Sequence, residues 1–215
     1  MQLYIGNQNY STWSLRAWLI FDNYNLDPDV IKLKLFTSDF YDTLASVTPT
    51  AKVPTLVDGD VAVWDSLAIL EYVNDAHLDG AAWPKSTKER ARARAISAEI
   101  HSGFFAVRNE MPMNCRAQRK LALSEEALKD IARIDAIWST QMEQYPEGWL
   151  FGEWSIADAM FAPVALRVET YGIKLSEKAS LYQQRVLNSP SVQKWLAEAS
   201  LETDVVEEDE AGEPV

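Results

Sequence analysis

With 215 residues, a mass of 24.3 kDa and 47% hydrophobic composition, the chain has material for one or two compact units with a full apolar core. Its single cysteine, Cys115, excludes an intrachain disulfide, a C-x-x-C redox centre and a cysteine-rich zinc site, and two histidines, His77 and His101, add little toward another metal centre, so no metal is expected. The formal charge of −12 is unevenly spread: residues 202–215 hold seven acids and no base, which leaves 25 of the 32 acids against 20 bases elsewhere, a balance of −5.

That body has no clustered basic face, which argues against a nucleic-acid partner. Its longest apolar runs, such as MFAPVAL, fall well short of the roughly 20 residues that span a membrane, and the N-terminus lacks a basic-then-apolar leader. A cytoplasmic protein is expected. The acidic segment 201–215 has no aromatics, follows the last periodic stretch and reads as a disordered, solvated tail.

In chain order, QLYI is a short strand, and STWSLRAWLIFDNY follows as a helix with Leu15, Trp18 and Leu19 at helical spacing. VIKLKL alternates Ile31, Leu33 and Leu35 with Lys32 and Lys34, a strand with one wet face, and a strand-helix-strand unit normally pairs its strands in parallel. An irregular link containing SVTPTAK leads to VPTLVDGDVAVW, two apolar runs around Asp58-Gly59-Asp60 that read as a hairpin. A helix follows in DSLAILEYVNDA, with Ser66 expected as its cap.

Residues 78–87, with Gly80 and Pro84 and no period, read as a linker between a unit at 1–77 and an all-helical unit at 88–200. STKE, with Ser86 and Glu89, has the form of a capping box. It opens a helix expected to run through ERARARAISAEIHSGFFAVRNE until Pro112 stops it. A second helix starts near Ser124 with a stripe of Leu128, Ile131, Ile134, Trp138 and Met142. SIADAMFAPVALRV, boxed by Ser155 and Asp158 and apolar nearly all round, should be the central helix. SPSVQKWLAEA, with Pro190 at the first helical position, forms another.

Three short stretches carry candidate chemistry. NYSTWSLR puts Ser11, Thr12 and Ser14 where a strand ends and a helix begins, so free backbone N–H groups and the positive end of the helix dipole face whatever binds there. AKVPTL sets a proline before a strand, where Val53 can offer its backbone to a peptide-like ligand. WDSLAILEY places Asp65 and Ser66 at a helix start, able to accept from an ammonium and donate to a carboxylate. Each stretch is equally a capped helix or an edge turn when taken alone.

In order and spacing the three resemble the soluble, cytosolic-type glutathione S-transferase superfamily, serine-type and zeta-like, and GEWSIAD at 152–158 resembles that family's Gly-x-x-Ser/Thr-x-Ala-Asp motif. The resemblance extends to about Ala199 and implies an α/β thioredoxin-like N-terminal domain (βαβαββα) followed by an all-α C-terminal helical domain. It implies glutathione as co-substrate and a glutathione transferase that activates it as a thiolate for attack on a small electrophilic substrate, in a homodimer. It makes Ser11 the catalytic hydroxyl and Lys52, Val53, Pro54, Asp65 and Ser66 the remaining glutathione-binding residues, with the Val53–Pro54 bond cis. Trp13, Ser14, His101, Phe105, Arg108 and Asn114 are the candidates for a second-substrate site; His101 or Arg108 is suited to an anionic substrate. Trp13 stands where zeta-like members carry a cysteine, which weakens the alternative of a maleylacetoacetate-type isomerase. A further alternative is a non-catalytic binding or regulatory protein on the same fold.

Overall fold

The computed structural model describes residues 1–215. The N-terminal half runs β1 (Gln2–Ile5), α1 (Thr12–Asn23), β2 (Asp29–Lys32), α2 (Ser38–Ala45), β3 (Thr55–Asp58), β4 (Val61–Trp64) and α3 (Ser66–His77), the expected βαβαββα order. The sheet order is β2-β1-β3-β4, with β2 parallel and β3 antiparallel to β1. Gly59, at φ 60°, turns the β3–β4 hairpin. Helix α2 lies in what the sequence pattern left as an irregular link. It is held by an N-cap at Thr37, whose hydroxyl accepts from the Phe40 N–H, and by burial of Phe40 and Leu44 with Tyr4 and Leu33 in a small core.

The remainder is mostly helical: α4 (Thr87–Ser102), α5 (Phe105–Glu110), α6 (Glu125–Gln144), α7 (Ile156–Thr170), α8 (Glu177–Leu187) and α9 (Pro190–Ser200). Helix α7 is buried almost throughout and packs on α1, α4 and α8. One large apolar core therefore continues from Leu3 and Ile5 under the sheet to Trp138, Tyr182 and Trp195 among the helices. The Ser155–Asp158 box is formed, and the buried Asp158 carboxylate also accepts from Leu150 N–H at 3.1 Å and Tyr182 O–H at 3.0 Å. No helix is long and apolar enough to cross a membrane.

Several local expectations are corrected. The long helix breaks at Gly103 rather than at Pro112: a Cβ there would lie 2.8 Å from the Glu99 carbonyl oxygen, and Phe104 turns left-handed at φ 56°. The α3 cap is Asp65, which accepts from Leu67 N–H and Ala68 N–H, while Ser66 is already helical. Glu89 does not close a box on Ser86 but accepts from the Tyr145 hydroxyl. Leu128 faces solvent; the buried face of α6 instead begins at Ala127 and adds Ile137 to Ile134, Trp138 and Met142.

The largest correction concerns the acidic tail, which is ordered. Its last residues, β6 (Glu213–Pro214), pair with β5 (Arg119–Lys120). Arg116 donates to the Glu202 and Asp204 carbonyls, and Arg119 donates to those of Glu210 and Gly212. The wet face of the β2 segment meets it too, Lys32 3.3 Å from Glu202 and Lys34 2.6 Å from Asp204. Charges that look solvated along the sequence neutralise one another in the fold.

Candidate active site

The turn from β1 to α1 is tight: Ser11 N–H donates to the Asn7 carbonyl at 2.9 Å and Tyr10 N–H to the same oxygen at 3.3 Å. Ser11 is the N-cap of α1, its Oγ accepting from Ser14 N–H at 3.3 Å. Its hydroxyl donates to Ser14 Oγ at 2.7 Å, and Ser14 Oγ accepts from Gly6 N–H at 3.0 Å. Rotating the two hydroxyls reverses their bond, so that Ser14 donates to Ser11 and the Ser11 proton is free to turn to the cavity.

Ser11, Thr12 and Trp13 line a cavity of about 540 Å³, whose other walls include Lys52, Val53, Arg108, Met113, Arg167 and Asp209. A second cavity, of about 610 Å³, is lined by Pro54, Trp64, Asp65, Ser66 and His101. Trp13, Thr50, Lys52, Val53 and Arg108 belong to both, making one cleft. The Val53–Pro54 peptide is cis. Asp65 is held at φ 77°, and the buried Ser66 hydroxyl has no partner within the protein.

The second-substrate candidates separate. Arg108 and Trp13 stand between the two cavities, the Arg108 guanidinium 4.7 Å from the Trp13 ring centroid. His101 lies on the Asp65 side, its Nε2 3.2 Å from the carboxylate and its ring edge-on to Trp13. Ser14 is fully buried behind Ser11. Phe105 is 63% exposed and lines neither cavity. Asn114 also lines neither; it is buried among Asn9 and Glu210, to which its side chain is hydrogen-bonded.

Arg108 and Arg167 line the cleft with Lys52, and a third arginine, Arg16, lies against Trp13 outside either lining. Arg16 is buried with its guanidinium carbon 4.5 Å from the Trp13 centroid, and Nε and Nη1 have no hydrogen-bond partner. Burial first, then repulsion from Arg167 and Arg108, lowers its pKa to about 9. Arg167, held by the Arg108 and Met111 carbonyls, is lowered to about 10, mainly by burial. Across the cavity, Asp209 is pushed up to about 6 by burial, with Arg167 opposing. Arg167 and Asp209 were missed from sequence. A lone arginine in the otherwise apolar run MFAPVALRV was the available signal for the first.

The Cys115 thiol lies outside both cavities and donates to the Gln8 carbonyl. Burial, then the Glu202 charge, pushes it up to about 12, leaving it protonated and unreactive at neutral pH.

Residues 10–76 match the family model "Glutathione S-transferase, N-terminal domain". The chain is 27% identical to a protein named probable maleylacetoacetate isomerase from Caenorhabditis elegans, over 81% of each chain. It is 25% identical to a stringent starvation protein A homolog from Pasteurella multocida, over 77% of this chain and 73% of that one. Among solved structures, a glutathione transferase homolog from Burkholderia gl BGR1 with bound glutathione superposes with a TM-score of 0.73 at 25% identity, covering 93% of this chain and 97% of that one. The matched N-terminal domain and the two-part architecture shared over most of the chain make this protein similar to the glutathione S-transferases.

Proposed function

We propose that the protein is a glutathione transferase that holds the glutathione sulfur as a thiolate at Ser11 and directs it at an electrophilic carbon in the cavity that Ser11 shares with Arg108 and Arg167. The observation that carries this reading is the cleft itself. One end offers a hydroxyl at a helix N-terminus; the other offers the Asp65 carboxylate and the unpartnered Ser66 hydroxyl, with the Val53 backbone between. These suit, in turn, a thiol, the ammonium and carboxylate of a γ-glutamyl group, and a cysteinyl backbone. Lys52 is suited to the glycyl carboxylate.

The energetics suffice without a protein base. Lowering a thiol pKa of about 8.5 by about two units takes about 2.7 kcal/mol. A hydrogen bond to a charged acceptor contributes about 1.5–3 kcal/mol and a helix N-terminus about 0.3–1 kcal/mol. Ser11 is therefore a donor. The thiolate attacks the carbon, and either a leaving group departs with the bonding electrons or the resulting carbanion takes a proton from solvent. Arg108 and Arg167 suit an electrophile that carries an anionic group.

A second reading, a glutathione-dependent isomerase, is favoured by the C. elegans relative and opposed by Trp13 in the cysteine position. A binding or regulatory role is the third reading, left open by relatives named stringent starvation protein A homolog, whose name carries no enzymatic activity. In the proposed reading the protein works in the cytoplasm as a homodimer, as the family resemblance implies. Mass analysis of products from glutathione and a panel of anionic and neutral electrophiles separates the three. A thioether conjugate supports the transferase, a rearranged substrate with free glutathione supports the isomerase, and no turnover with either supports the binding protein.

A further inference from the structure

Four consecutive residues before Ser11 are gripped by the C-terminal segment. Asn7 Nδ2 donates to Asp204 Oδ2 at 3.1 Å. Gln8 N–H and Asn9 N–H donate to the two oxygens of the Glu202 carboxylate at 2.8 and 3.1 Å. Tyr10 O–H donates to Glu210 Oε1 at 2.6 Å. From the same side, Trp195 Nε1–H donates to the Gln8 carbonyl at 2.9 Å.

Glu202 is the centre of this grip. Its side chain is only 7% exposed, its charge is met by Lys32 at 3.3 Å, and both amides it accepts from belong to buried residues. Backbone N–H groups bonded to a carboxylate are among the stronger hydrogen bonds of a fold, and a buried donor left without an acceptor drives local rearrangement. The Asn7 carbonyl, which accepts from Tyr10 and Ser11 N–H, is part of the same turn, so its geometry passes directly to the Ser11 cap.

We infer that Glu202 is a positioning residue for thiol activation: by clamping the Gln8 and Asn9 amides it fixes the turn that aims the Ser11 hydroxyl at the glutathione sulfur. The acidic segment is then part of the active site. This inference rests on the proposed thiolate chemistry.

The test compares the full-length wild type with Glu202→Gln, which keeps the shape but offers one acceptor oxygen and no charge. Amide hydrogen exchange at Gln8 and Asn9 is read without ligand, and the thiolate absorbance of bound glutathione is titrated against pH. In the variant, exchange at both amides accelerates by about ten-fold or more. The bound thiol titrates about one unit higher, a roughly ten-fold loss of thiolate near neutral pH, and kcat falls more than the KM for glutathione rises. Faster exchange with an unshifted thiol titration overturns the inference, because the grip is then structural only. Unchanged exchange overturns it as well. A wild type with no thiolate signal overturns the proposed function and this consequence together, whereas a thiolate signal that survives Glu202→Gln unshifted sinks the inference alone. Should Glu202→Gln fail to fold, Glu202→Asp, which keeps the charge but draws the carboxylate back by one methylene from the Gln8 and Asn9 amides, is the second variant: the same shifts in smaller degree are expected, and their absence overturns the inference.

Discussion

Ser11→Ala separates two jobs that one side chain performs. As N-cap, Ser11 Oγ accepts from Ser14 N–H at 3.3 Å, and losing such a cap costs about 1 kcal/mol. For a chain of this length that is a fall in Tm of about 2–4 °C. As thiolate donor, it supplies a hydrogen bond to a charged acceptor of about 1.5–3 kcal/mol, equivalent to about one to two pKa units of the bound thiol. The assay is ultraviolet difference titration of glutathione onto both proteins across pH, with thermal unfolding measured in parallel. The variant should fold, bind glutathione and titrate its thiol one to two units higher. Binding with a shift below about half a unit would refute the role of Ser11 and move it to Thr12 or Ser14, the second of which has its Oγ 2.7 Å away.

Other positions give independent checks. Asp65→Asn keeps an equally good cap for α3 but removes the charge, so Tm should hold within about 2 °C while the KM for glutathione rises about ten-fold or more, by steady-state kinetics. Asp158→Ala leaves Leu150 N–H, Ser155 N–H and Tyr182 O–H buried without their acceptor, which should cost about 3 kcal/mol or more and lower Tm by about 6 °C or more in calorimetry. Asp209 carries a pH signature: its carboxyl is raised to about 6, mainly by burial, so between about pH 4 and pH 6 the native chain holds a proton that the unfolded chain releases. Ionising it therefore opposes folding, and wild type should gain Tm relative to Asp209→Asn as pH falls from about 7 to about 5. The same variant removes a negative charge facing Arg167, so it should lower the KM for an anionic electrophile at neutral pH and leave that for a neutral one unchanged.

Local order was legible where one chemical signal dominates. The strand-helix boundary before Ser11, the Asp58-Gly59-Asp60 hairpin and the Ser155–Asp158 box are set by residues within a few positions of one another. Helix α2 was not located by its pattern because its eight residues bury only Phe40 and Leu44, too few to mark a period. The break at Gly103 depends on a close approach to the Glu99 carbonyl that hydropathy does not report. The tail was misread for a reason of range. Glu202 and Asp204 find Lys32 and Lys34 170 residues away and the 7–10 turn more than 190 residues away, and composition alone cannot tell a solvated acid from one whose partner lies at the other end of the chain. The cleft followed the same rule: Ser11, Val53 and Asp65–Ser66 could be picked out as local motifs, whereas Arg167 and Asp209 enter it only through packing of α7 and the tail.

The central claim is that glutathione binds along the cleft with its sulfur at Ser11, and a crystal structure of the protein with glutathione tests it most directly. The account predicts the sulfur within hydrogen-bond distance of Ser11 Oγ, the cysteinyl backbone paired with Val53 and the γ-glutamyl group on Asp65 and Ser66. Glutathione bound elsewhere, or in the cleft with its sulfur turned away from Ser11, would contradict it.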